Sequence, residues 1–251
     1  MDPAEFRADN PYASFGDLAI AAPADQRLAF IRKTYTHLAA AIYAFVAIEY
    51  ALFQTSLPGT MLDMLGQSRF FWLIVMGGFV AVSWIADNWA RTSTSIGKQY
   101  AGLFLYVLAE AVVFLPLLAI AKSMSLEIQG FGDVGIIPVA GITTLIMFGG
   151  LTAIVFLTKR DFSFMRGALG ICALGATALI VVSIVFGFHL GVWFSALMVV
   201  MACGYILYYT SNIMHQYRTD QYVAAALALF ASVALLFWYV LRILMSVSNR
   251  R

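Results

Sequence analysis

Two carboxyl groups stand inside long apolar runs, Glu110 in "LYVLAEAVVFLPLL" and Glu49 in "AIEYALF". A carboxylate in hydrocarbon costs at least about 2.5 kcal/mol on insertion scales, so such a group marks a proton relay, a cation path or a buried hydrogen bond. Glu110 shares a helical face with Gly102, Tyr106 and Phe114, and Tyr106 is placed to donate a hydrogen bond to it. Burial with no cation nearby favours its protonated form. Two readings stay open: a neutral glutamate that pins two helices, or a carboxylate that senses protons or cations. Glu49 lies near the outer end of its run, within reach of the interface. Asp87 and Arg91 are four residues apart and are expected to pair at a helix end. His37 opens the first apolar run and is expected to sit in the interface. Asn212 and His215 belong to "LYYTSNIMHQY", Leu207–Tyr217, a polar cluster that ends a long apolar stretch. That cluster is either a helix leaving a membrane or a working site.

The elements that hold these residues follow from composition. The chain has 251 residues, 62% hydrophobic and 11% charged, against about 25% charged in a soluble domain. Such a chain cannot cover an aqueous surface, and its solvent is the lipid bilayer. A net charge of +2, with no basic and aromatic patch, excludes nucleic acid as a partner. Cys172 and Cys203 sit in apolar runs and read as small hydrophobes of a packed interior.

Seven runs are long enough to span about 30 Å of hydrocarbon as helices. They are placed near 34–53, 70–90, 100–121, 136–157, 167–187, 191–213 and 222–245, inside one transmembrane domain, 27–245. The runs lack the alternation of barrel strands, so the fold class is an all-α polytopic membrane protein. Residues 1–26, rich in proline, acids and small side chains, read as a flexible tail, and 246–251 as a short second one. "DQRLAFIRKTYTHL" reads as an interfacial lead-in to the first span, with Asp25 as its cap. The seventh span carries a small-residue seam, Ala224, Ala228 and Ser232, of the kind that lets helices approach closely, which puts it at the centre of the bundle.

Of the fifteen Lys and Arg residues, ten fall on the side of the N-terminus and five on the other. Positive residues favour the cytoplasm, so the N-terminus is expected inside and the C-terminus outside. The lack of targeting features suggests a plasma (inner) membrane.

Enzyme chemistry finds no footing. The chain has no HExxH, no G-x-S-x-G and no P-loop, and no lysine in the seventh span for a retinal Schiff base. No cofactor is expected. Calcium is the one ion the carboxyls would suit, although it prefers six to eight oxygens, and no metal site can be named.

Several runs together resemble the Bax-inhibitor (TMBIM) membrane family, in particular its bacterial branch associated with a membrane AAA protease. They are "FIRKTYTHLA" before the first span, "AEAVVFLPLL" around Glu110, "FGGLTAIVFLTKRDFSFMRGAL", and "ILYYTSNIMHQYRTDQYVAAALALFASVALLFWYVLRIL". The resemblance covers about residues 30 to 245 and implies six helices around a central seventh. It also implies pH-sensitive calcium leakage in some members and control of cell-death or protease machinery in others. The leak-type members use two aspartates on the last two helices that share a proton. Those positions fall here on Tyr209 and Ser232, so the gate does not carry over. Tyr209 is instead expected to hydrogen-bond Ser232 across the two helices, as a polar lock at the cytoplasmic mouth.

Two functions follow. The first is a non-enzymatic membrane regulator, working through contacts with other membrane proteins such as that protease. The second is a calcium or proton leak that uses Glu110, with Glu49 as a further candidate, in place of the missing pair.

Overall fold

The computed structural model describes residues 18–92, 95–128 and 132–249. The remainder of both tails, with Arg7, Arg250 and Arg251 of the charge count, lies outside them. The described residues form eight helices and one hairpin: α1 (Ala24–Leu52), α2 (Leu57–Gln67), α3 (Arg69–Thr92), α4 (Ile96–Ala121), β1 (Ser125–Ile128), β2 (Gly132–Gly135), α5 (Ile136–Thr158), α6 (Met165–Phe186), α7 (Gly191–His215) and α8 (Tyr222–Ser248). All but α2 are long and apolar enough to cross a membrane, and these are the seven spans expected from the sequence.

Three boundaries differ from the expectation. The lead-in is no separate element, because α1 runs unbroken from Ala24 with Pro23, not Asp25, in the cap position. Proline suits the start of a helix, where its missing N–H costs nothing. From Leu18 onward the stretch read as tail is docked. Ala19 is fully buried and its N–H donates to Tyr217 O at 2.8 Å, while Leu18 bridges to Arg218. At the other end α8 continues to Ser248, whose hydroxyl donates to Ser125 O. Two elements inside gaps were missed. They are α2, whose second residue is Pro58, and the antiparallel β1–β2 hairpin, which pairs Ser125 with Gly135.

The seventh span, α8, is the axis of the bundle. From Val223 to Phe230 every residue is buried, and the seam residues Ala224, Ala228 and Ser232 are no more than 3% exposed. Short side chains let neighbouring backbones close in, which in lipid replaces the hydrophobic drive with van der Waals packing. The first half of α8 packs with Phe30, Leu38, Leu103 and Val107. Its second half packs with Phe114, Leu118, Ile136 and Ile206. Thus α1, α3, α4, α5 and α7 lean on it directly. The sixth neighbour, α6, packs on α7 and α3, and a cavity separates part of its length from α8.

The tightest approach joins α3 to α4. At Gly102 an added Cβ would lie 2.6 Å from Ala86 O, so only glycine admits this contact. The outer faces carry bare apolar side chains such as Trp193, Leu157 and Phe164, as a lipid-facing surface requires. Cys172 belongs to that face and Cys203 is half-buried. Neither is the fully packed cysteine expected: α6, which carries Cys172, turns much of its circumference outward, and Cys203 on α7 is only partly covered.

Candidate functional site

A cavity of about 830 Å³ opens between α3, α4, α6, α7 and α8, and Tyr106, Glu110, Tyr209 and Ser232 are among its lining residues. The Tyr106 hydroxyl donates to Glu110 Oε1 at 3.0 Å, the bond expected from their spacing. Both residues belong to α4, so Glu110 does not pin two helices. The Tyr106 ring is itself fixed edge-on against Phe230 of α8 and beside Phe79 of α3, and this orients its hydroxyl towards Glu110.

The expected lock between Tyr209 and Ser232 is not formed. Ser232 Oγ donates to Ala228 O within its own helix at 2.8 Å, the back-bond a serine makes when no better acceptor faces it. Tyr209 stacks on Tyr205 and meets Tyr208 edge-on. Both residues therefore hold neutral groups on the cavity wall without bridging it.

Glu49 also departs from the expectation. It is 5% exposed, and neither carboxyl oxygen has a hydrogen-bond partner. The cause is its register. Phe45 and Phe53, four residues to either side, pack into the cluster around Phe114 and Leu118, so the same face carries Glu49 inward instead of out to the interface. The structure does not bring it to the cavity that holds Glu110.

The remaining candidates sit at the end of the bundle where α1 begins and α7 ends. Arg91 Nε donates to Asp87 Oδ1 at 2.6 Å, as the spacing implied, and its Nη1 reaches the Tyr217 hydroxyl at 3.4 Å. Burial holds the Tyr217 phenol above its ordinary value, and the Arg91 guanidinium opposes this only in part. His37 is more than an interfacial residue. Its Nδ1 must donate to Lys33 O, since a carbonyl only accepts, which leaves Nε2 facing the Tyr100 hydroxyl at 2.7 Å. The ring also meets Tyr222, so His37 joins α1, α4 and α8.

Asn212 is buried with its Oδ1 unpartnered, and His215 Nδ1 donates to Ser211 O. Sequence reasoning passed over Ser211, which is fully buried and accepts the Phe162 N–H at 2.9 Å. It thereby grips the loop between α5 and α6. In that loop Asp161 is held below the usual carboxylate range, chiefly by the Ser163 backbone N–H it accepts at 2.8 Å. The run "LYYTSNIMHQY" is thus a clamp on neighbouring loops. Its only signal in the sequence was its polarity.

Among the described residues no three His, Cys, Asp or Glu side chains stand close enough to hold a metal ion together. What the arrangement offers chemically is one carboxyl, bonded to a phenol, at the side of a mostly apolar cavity.

The chain is similar to known proteins. The family described as "Inhibitor of apoptosis-promoting Bax1" matches residues 27–249. Bax inhibitor 1 of Schizosaccharomyces pombe is 28% identical over 233 residues, covering 89% of this chain and 78% of its own. An uncharacterised protein of Pasteurella multocida is 28% identical over 208 residues, 81% of this chain and 83% of the relative. A Golgi anti-apoptotic protein of Vaccinia virus (strain Lister) is 29% identical over 146 residues, 53% and 56% of the two chains. With the matched region running from the first turn of α1 to the end of α8, this seven-span chain belongs to the Bax-inhibitor family of membrane proteins.

Proposed function

We propose that the protein is a non-enzymatic regulator of membrane or stress homeostasis, working through contacts with other membrane proteins, a membrane AAA protease among them. One observation carries this reading. The two cavity-wall positions that would hold a proton-sharing aspartate pair carry Tyr209 and Ser232, and the Ser232 hydroxyl is spent on its own helix. Two carboxylates forced together cannot both ionise cheaply, which is what makes such a pair a switch. A phenol with an ordinary value near 10 has no such transition near neutral pH. The name of the viral relative, a Golgi anti-apoptotic protein, supports a regulatory role of the same general kind. The excess of basic residues on the N-terminal side supports a plasma-membrane orientation with that terminus in the cytoplasm.

A second reading, a proton or calcium leak, is favoured by the place of Glu110 on the cavity wall. Cells challenged with a Bax-type killer separate the two. The regulator gains survival from this chain, and gains as much from Glu110→Gln, which keeps an acceptor for Tyr106. Survival that is lost with the Gln variant, at equal protein level, would assign the effect to a titrating Glu110 and so to the leak.

A further inference from the structure

We infer that the cavity continues into a binding site for one anionic two-chain phospholipid, with its phosphate on Arg242 and its two acyl chains on either side of a tryptophan wall. Arg242 lies near the C-terminal end of α8, and among the described residues no carboxylate pairs with it. Its guanidinium faces the Tyr239 ring at 6.0 Å. Arg242 is about 30 Å of helix from Tyr222 at the other end of α8, a full hydrocarbon thickness, which puts it near the headgroups. An arginine without a carboxylate at that depth is suited to a phosphate, which its planar fork binds through two parallel hydrogen bonds.

The space around Arg242 has the shape of the tails. On one side lies the 830 Å³ cavity, and on the other a smaller one of about 370 Å³. Leu65, Trp72, Trp238 and Arg242 border both. Trp72 and Trp238 stack with centroids 6.1 Å apart and planes 21° from parallel, so they form the ridge between two clefts. A single-chain amphiphile would leave one cleft unfilled.

The depth fits as well. The large cavity runs along α8 from Arg242 to Ala231. At 1.5 Å per residue that is about 16 Å, close to half of the roughly 30 Å hydrocarbon core, the reach of one leaflet's acyl chain. His189, in the loop before α7, borders the large cavity and adds a polar group beside the headgroup. The site is independent of whether the protein regulates partners or leaks ions.

The test uses the full chain in mild detergent, with native mass spectrometry and thermal unfolding. Phosphatidylglycerol, phosphatidylcholine and glycerol 3-phosphate are added in separate arms. The expected result is one phosphatidylglycerol per chain, bound at least tenfold tighter than phosphatidylcholine, with an unfolding temperature raised by several degrees. Arg242→Gln loses that preference. Ala176→Phe fills the large cavity from α6 and loses binding with Arg242 intact, and its lipid-free unfolding temperature shows that it folds. Equal binding of the two lipids overturns the site. So does preference retained in Arg242→Gln, binding retained in Ala176→Phe, or the same shift from glycerol 3-phosphate alone.

Discussion

Gly102→Ala is expected to lower the stability of the bundle by about 3 kcal/mol or more. The new Cβ would sit 2.6 Å from Ala86 O and 3.2 Å from both Ala90 N and Trp89 Cβ. Two of those three atoms are backbone, so no rotamer change relieves the clash, and α3 must move away from α4. Overpacking that displaces backbone lies at or above the upper end of the usual 1–3 kcal/mol. The displacement also pulls on Phe79, which flanks Tyr106, and on the Asp87–Arg91–Tyr217 contacts one turn away. Gly77→Ala in α3 is the control. Nothing lies within 4 Å of its added Cβ, and trading glycine for alanine inside a helix is worth up to about 1 kcal/mol in its favour. Thermal unfolding in detergent should therefore separate the two variants by several degrees, with Gly102→Ala the lower. Equal unfolding temperatures would mean that α3 and α4 do not meet at Gly102.

Phe114→Ala carries the second large effect. The Phe114 ring is 2% exposed and sits edge-on to Phe45 of α1 and to Trp238 of α8, and stacks parallel with Phe237. Removing it opens a hole where α1, α4 and α8 meet. Phe→Ala in a soluble core costs about 3–5 kcal/mol. In lipid the part due to transfer from water largely falls away and the lost contacts remain, so about 3 kcal/mol is expected. Tryptophan fluorescence should report it twice, as a lower unfolding temperature and as a changed Trp238 environment. Unfolding within a degree of the parent would contradict the assignment of Phe114 as the junction.

What could be read in the sequence was local. The seven spans follow from length and apolar composition, and the pairs Asp87–Arg91 and Tyr106–Glu110 follow from the four-residue spacing of a helix. The central place of α8 was legible because Ala224, Ala228 and Ser232 line one face. Most of the features that failed depend on contacts between distant segments. Glu49 was expected at the interface, since its depth along α1 was legible but the packing of Phe45 and Phe53 on α4, α5 and α8 was not. The Tyr209–Ser232 bond was expected from their positions on adjoining helices, but those positions do not tell which acceptor a hydroxyl faces. The hairpin and α2 hid in segments read as gaps. Ser211 gave no signal because its role is to hold a loop about fifty residues away in the chain.

With neutral residues at the two gate positions, the proposed regulator is expected not to switch on ion flow near neutral pH. Calcium and proton flux into liposomes holding the purified protein, from pH 5 to 8 and beside Glu110→Gln, tests it most directly. Neither ion is expected to move above the empty-liposome background at any pH, with the Gln variant indistinguishable. Flux from the parent protein that the Gln variant abolishes, or whose pH dependence it shifts, would overturn the regulator reading and make Glu110 the working carboxyl of a leak.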